Sequence, residues 1–249
     1  MDSNFKVPTE SVELPSKGLL YPADSPLSSG KIEMKYMTAR EEDILSNINF
    51  IRKGTAIDKL MQALLVDKNI DYKQLLVGDK NAIMVAARIL SYGKEYTFTY
   101  DEQEYNVDLS TADNKELDEK LIKDGKNQFP FKFSKSGNDI TFKFLTHQDE
   151  ISVDREVEGK RKINKDSNTS GSTRLKYLIT SINGQTDNKS IRDFVDNYLL
   201  ASEARELRKH YAEIAPDVEL KFDVEKDDGS EEAVDVPIGV NFFWPDVRI

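Results

Sequence analysis

The sequence predicts an α+β protein of two helix-plus-β-hairpin units, with a mostly helical N-terminal core and antiparallel hairpins. Three features carry that expectation. Apolar residues recur at helical spacing between Thr38 and Tyr92. Beyond Gly93 the period drops to two. The second half again combines helical segments with hairpins, though without an aligned repeat. A soft boundary near residue 125 then gives two domains. Residues 1–125 form an N-terminal helical domain with a hairpin and an extended arm, and residues 126–249 a C-terminal α+β domain ending in an aromatic-rich hairpin.

In chain order, Val7 to Pro26 holds four prolines and reads as an extended arm that lies along a surface and buries Leu14, Leu19 and Leu20. Lys31 to Met37 alternates as a strand. Thr38 with Glu41 is a capping box for a helix bearing Ile44, Leu45 and Ile48 on one face and ending at Gly54. Thr55 with Asp58 opens a second helix carrying Leu60, Met61, Leu64 and Leu65. A third runs from Asp79 to Tyr92 and is apolar on most sides, which makes it the central helix of its domain. Tyr96–Phe98–Tyr100 and Tyr105–Val107–Leu109 form a hairpin around Asp101 to Gln103.

A polar stretch from Ser110 to Gln128 carries a short helix near Leu117 and Leu121. Phe129–Phe131–Phe133 returns as Ile140–Phe142–Phe144 in a second hairpin. Thr146 caps a charged helix reaching Lys162, and Asn164 to Ser172 reads as a loop. An apolar segment, Leu175 to Ile182, leads to a helix from Ser190 with Ile191, Phe194, Val195, Tyr198 and Leu199 on one face. Another runs from Ser202 to Ile214 and is closed by Pro216. Strand-like segments around Val218 to Val224 and Val234 to Ile238 flank an acidic turn, ahead of Phe242–Phe243–Trp244–Pro245.

Composition narrows the function. The 249 residues include 45 acidic and 35 basic side chains, a net charge of −10. That balance argues against nucleic-acid binding through phosphate neutralisation and against association with anionic membranes. No run approaches the roughly 18 apolar residues of a membrane span, and the N-terminus lacks the pattern of a signal peptide, so a cytosolic protein is expected. Cysteine is absent, which removes disulfides, thiolate metal sites and thiol nucleophiles. The two histidines, His147 and His210, cannot supply a histidine zinc cluster, and neither sits in a nucleophile motif.

Gly78–Asp79–Lys80 lacks the remainder of a phosphate-binding loop and reads as a turn with an acidic cap. Glu41–Glu42–Asp43 reads as a solvated first helical turn. Arg205, Arg208 and Lys209 complement the end of their helix. No enzyme, cofactor, metal or small-molecule substrate is expected. The terminal Phe242, Phe243 and Trp244 either dock on the core of the C-terminal domain or anchor an interface. The same two alternatives hold for the proline-stiffened Val12 to Pro22 segment, with Leu19, Leu20 and Tyr21 as its anchors.

Three stretches together resemble one family: Leu14–Pro15–Ser16–Lys17–Gly18–Leu19–Leu20–Tyr21–Pro22, then Met37–Thr38–Ala39–Arg40–Glu41–Glu42–Asp43–Ile44–Leu45, then Leu75–Leu76–Val77–Gly78–Asp79–Lys80 continuing into Ala87 to Gly93. They look like the baseplate hub assembly proteins of T4-like tailed phages, the products there of genes 26 and 51, and the length is closer to the longer, gene 51 type. The resemblance implies a late viral assembly factor, a chaperone in the host cytoplasm that binds phage baseplate hub proteins. A structural subunit retained in the hub of the virion is the alternative. The family carries no active-site residues to transfer.

Overall fold

The computed structural model describes residues 6–122, 125–164, 169–226, 229–236, 238 and 240–243. Its α+β architecture follows from local chemistry in most places. The arm is partly a strand: β1 (Thr9–Glu13) pairs antiparallel with β2 (Lys31–Lys35), Val12 opposite Ile32. Between them the chain doubles back through Gly18 and Gly30, both at positive φ. A Cβ on Gly18 would lie 2.5 Å from the Gly30 nitrogen, so only glycine permits this approach.

Helix α1 (Ala39–Ser46) starts at the expected capping box, with the Thr38 N–H and hydroxyl donating to Glu41 at 3.1 and 2.6 Å. It does not run on to Gly54. Asn47 is extended and its Oδ1 accepts from the Asn49 and Phe50 N–H groups, which caps a separate short helix, α2 (Ile48–Arg52). The break turns Ile48 outward, 62% exposed, instead of onto a shared face with Ile44 and Leu45. Glu41 is likewise not solvated: it is buried, and Lys35 pairs with it at 2.7 Å. Burial opposes its charge, but Lys35 and Thr38 hold its carboxyl down at about 2.

Helices α3 (Ala56–Leu64) and α4 (Val77–Tyr92) follow as expected, with Leu60, Met61, Leu64, Ile83 and Ala87 buried. Strands β3 (Glu95–Tyr100) and β4 (Gln103–Asp108) meet at Asp101 and Glu102, both at positive φ as a two-residue hairpin turn requires. Around Leu117 and Leu121 there are only 3₁₀ turns and β5 (Asp113–Lys115).

The second hairpin, β6 (Phe129–Lys132) with β7 (Asp139–Phe142), gains a third antiparallel strand, β8 (Ile179–Ile182). Helix α5 (His147–Ile163) begins at a Thr146–Asp149 capping box. Of the predicted loop, 165–168 lie outside the described residues, and Ser170–Ser172 are already helical in α6 (Ser170–Leu178). Helix α7 (Asn188–Asn197) ends one residue before Tyr198, which is 65% exposed and not on the apolar face. Helix α8 (Ala201–Ile214) pins the second hairpin's turn, with Glu203 and Glu206 accepting from the Ser136 and Ser134 N–H groups. The chain closes with β9 (Asp217–Glu219), paired to β5, the hairpin β10 (Lys221–Glu225) with β11 (Glu231–Asp235), and a 3₁₀ turn at Val240–Phe243. No helix among the described residues is long and apolar enough to cross a membrane.

Two apolar cores result. The first gathers Leu14, Ile32, Leu45, Leu60, Ile83 and Tyr96, and the second Phe129, Phe142, Phe144, Leu178, Phe194 and Leu207. They do not follow the chain in two consecutive halves. Leu220, Val224, Val234, Val236, Phe242 and Phe243 return to the first core. Phe242 packs 5.0 Å from Tyr96. Phe242 and Phe243 therefore dock on the first core and not on that of the C-terminal segment.

Ile83 is fully buried whereas Ile89 on the same helix is only half-buried. Ile83→Asp should cost roughly 4 kcal/mol or more, an unpaired charge in the core, and Ile89→Asp clearly less; denaturant titration of both variants checks the ranking.

Candidate functional site

The arm and the start of α4 meet in a buried polar junction. Asp79, third residue of α4, is fully buried. Its Oδ1 accepts from the Ser16 N–H at 2.9 Å, and its Oδ2 from the Ser16 hydroxyl and the Tyr21 hydroxyl, each at 2.6 Å. The Tyr21 oxygen in turn accepts from the Leu76 N–H at 2.8 Å, one of the donors that a helix start leaves unpaired. Asp79 thus stands in the first turn of α4, but the N-cap is Leu76 and the carboxylate is bonded to the arm instead of capping its own helix. Burial pushes its carboxyl above the usual carboxylate range, with the Ser16 and Tyr21 donors working against that rise. Burial and the adjacent Asp79 charge raise the Tyr21 phenol in the same way.

Gly78, beside Asp79, is required for close approach. A Cβ there would stand 1.9 Å from the Pro216 carbonyl oxygen. One turn further on, Asn81 donates to Asp217 at 2.9 Å. Val77 N–H donates to the Leu145 carbonyl, and His147 N–H to the Leu75 carbonyl, at 3.0 and 2.9 Å. The start of α4 therefore receives the arm from one side and the segments around 145 and 216 from the other. Tyr21 packs against both cores.

Next to this junction lies an open cleft of about 370 Å³. Leu20, Tyr21, Pro22 and Leu76 form its apolar wall, and Asp24, Gln74, Asn127 and Thr146 its polar rim. Asn127 is itself held by paired bonds to the Phe144 N–H and carbonyl, both at 2.8 Å.

The partner-binding candidates separate accordingly. Leu19 is exposed at 37%, against the expected burial, because it sits on the outer side of the turn whose inner side is clamped by Ser16 and Gly18. Leu20 is buried in the second core apart from its edge on the cleft, and Tyr21 is half-buried. Phe242 and Phe243 are buried in the first core, and Trp244 lies outside the described residues. Sequence reasoning missed Ser16 and Asp79 as partners; their 63-residue separation leaves no periodic signal. Among the described residues no three His, Cys, Asp or Glu side chains are placed to hold a metal.

A family model described as T4 bacteriophage base plate protein matches residues 8–244. No curated protein and no solved structure matches the chain.

Tyr21→Phe strands the Leu76 N–H and removes one donor from Asp79, and should lower stability by about 2 kcal/mol. Leu19→Ala, at an exposed position, should change it by less than about 0.5 kcal/mol. Gly78→Ala should be the most damaging of the three because backbone must move to admit the methyl group. Thermal and denaturant unfolding of the three variants, measured side by side, checks this order; a neutral Tyr21→Phe would show that the hydroxyl does not hold the junction.

Proposed function

This chain belongs to the T4 bacteriophage base plate protein family, and from that premise we propose that it is a non-enzymatic assembly factor, a chaperone that promotes formation of the tail baseplate hub by binding hub proteins in the host cytoplasm. The family match over residues 8–244, which takes in the arm, both cores and the terminal Phe pair, supports the baseplate role on which this reading builds. Membership of a baseplate family favours a role in building or forming the baseplate over catalysis. The three stretches that resemble hub assembly proteins favour the hub, and the 249-residue length favours the longer, gene 51 type.

In this reading the arm is the docking element. It is stiffened by Pro15 and Pro22, pinned from behind by Asp79, and presents Leu19 beside the Leu20–Tyr21–Pro22 cleft. A segment already held in one conformation loses little entropy when a partner covers it. An apolar side chain from a hub protein is the occupant that the cleft wall suits, with Asp24, Gln74 and Thr146 available to its backbone.

Two measurements test this. In purified virions, quantitative mass spectrometry should find the chain absent or far below the stoichiometry of hub subunits; an equimolar amount would instead make it a retained structural subunit. In infected cells, the tagged wild-type chain should co-purify with a hub protein. Leu19→Asp should weaken that capture at least about tenfold, the loss of roughly 1.4 kcal/mol, while keeping the wild-type melting temperature. Undiminished capture would move the binding surface away from the arm.

A further inference from the structure

A second polar cluster lies between α3 of the first core and α5, which packs on α6 beside the second. His147, the first residue of α5, is its centre, with a side chain only 12% exposed. The Nε2 atom stands 2.8 Å from Asp58 Oδ1 on α3, and Nδ1 stands 3.6 Å from Glu150 Oε2 one turn along α5. Lys80 of α4 approaches Glu150 Oε2 to 2.6 Å, and Arg174 of α6 approaches Glu150 Oε1 to 3.6 Å. The Tyr72 ring meets the imidazole edge-on at 5.0 Å, and among the described residues neither its buried hydroxyl nor His147 Nδ1 has a hydrogen-bond partner, so the Nδ1–Glu150 contact is an ion pair and not a hydrogen bond. The charged and titratable groups around the ring are therefore Asp58, Tyr72, Lys80, Glu150 and Arg174.

The two carboxylates are not equally provided for. Glu150 has Lys80 and Arg174 besides the histidine; burial opposes its charge, yet these partners hold its carboxyl at about 2. Asp58 has, among the described residues, no ion-pair partner except His147. We propose that His147 is a proton-operated tie between α3 and α5: as an imidazolium it is held between Asp58 on α3 and Glu150 on its own helix, and when it loses its proton the attraction that holds α3 to α5 weakens. A neutral ring keeps one N–H. If Nε2 donates that proton to Asp58, the lone pair of Nδ1 faces the Glu150 carboxylate, and the charge that drew both anions together is gone.

Burial works against the charged ring, but its bond to Asp58 and the nearby Glu150 carboxylate outweigh burial and Lys80, so the His147 pKa is raised in the folded protein. The unfolded value is about 6.5. A raised folded pKa means that the tie contributes fully below about pH 6.5 and is lost as pH rises through the folded pKa. The backbone bond from His147 N–H to the Leu75 carbonyl is unaffected by the proton, so the junction loosens without the fold coming apart.

The chain has two histidines, which makes the test direct. In the full-length protein carrying His210→Gln, the single remaining imidazole signal in the NMR spectrum should titrate above pH 6.5. Amide protection in α3 and at the start of α5, corrected for the intrinsic pH dependence of exchange, should fall several-fold across that same titration. Asp58→Asn should move the histidine midpoint down and flatten the change in protection. A His147 that titrates at or below about 6.5, or protection in α3 that does not follow its titration, overturns the proposal. The titration is read on the native His147, so the result does not depend on a His147 variant folding.

Discussion

A fully buried carboxylate decides how this molecule is put together. Asp79 sits where solvent cannot reach it, and an acid left unpaired in that position would be strongly destabilising. Among the described residues the donors that reach it are Ser16 and Tyr21, both on the arm, which lies across the start of α4. That single requirement sets the turn at Gly18, the return through Gly30 and the pairing of β1 with β2. Tyr21, fixed by the same bond, then bridges the two cores.

The start of α4 is consequently a meeting point of distant segments. The arm, the β7–α5 connection near Leu145 and the α8–β9 connection at Pro216 all contact residues 75–81. Close backbone approach at Gly78 and directional bonds at Asp79 and Asn81 leave little freedom for one core to slide on the other. The stretches that carry the family resemblance, Leu14 to Pro22 and Leu75 to Lys80, are the two sides of this contact. Their residue types are accounted for by the junction: serine and tyrosine as donors, glycine where backbones touch, and an acid as the acceptor.

For a protein of the base plate family this arrangement separates structural from presentational side chains within one short segment. Ser16 and Tyr21 face inward and hold the arm, while Leu19 and the cleft wall face outward. The terminal Phe pair belongs to the inward class, since Phe242 and Phe243 complete the first core against Tyr96. The arm combines a clamped backbone with an exposed apolar residue; the described part of the C-terminal end is consumed in packing.

The sequence by itself determined the elements whose signals are local. The capping boxes at Thr38 and Thr146, the apolar period of α3 and α4, and the alternation of β3–β4 and β6–β7 all place structure within a residue or two of where it stands. Each depends on neighbours three or four positions away, or on a turn a few residues long. The resemblance of the three motif stretches likewise pointed to the family without any coordinates. Only the tertiary structure decided the rest. It made Thr9–Glu13 a strand, paired the polar Asp113–Lys115 with Asp217–Glu219, added Ile179–Ile182 to the second hairpin, and returned the terminal Phe pair to the first core. It also buried Asp79 and Glu41, which look like ordinary helix-start acids, because the donors that make their burial tolerable come from Ser16, Tyr21 and Lys35. Burial of a charge is set by which partners the fold brings to it, and local sequence does not encode the arrival of a donor from 63 residues away.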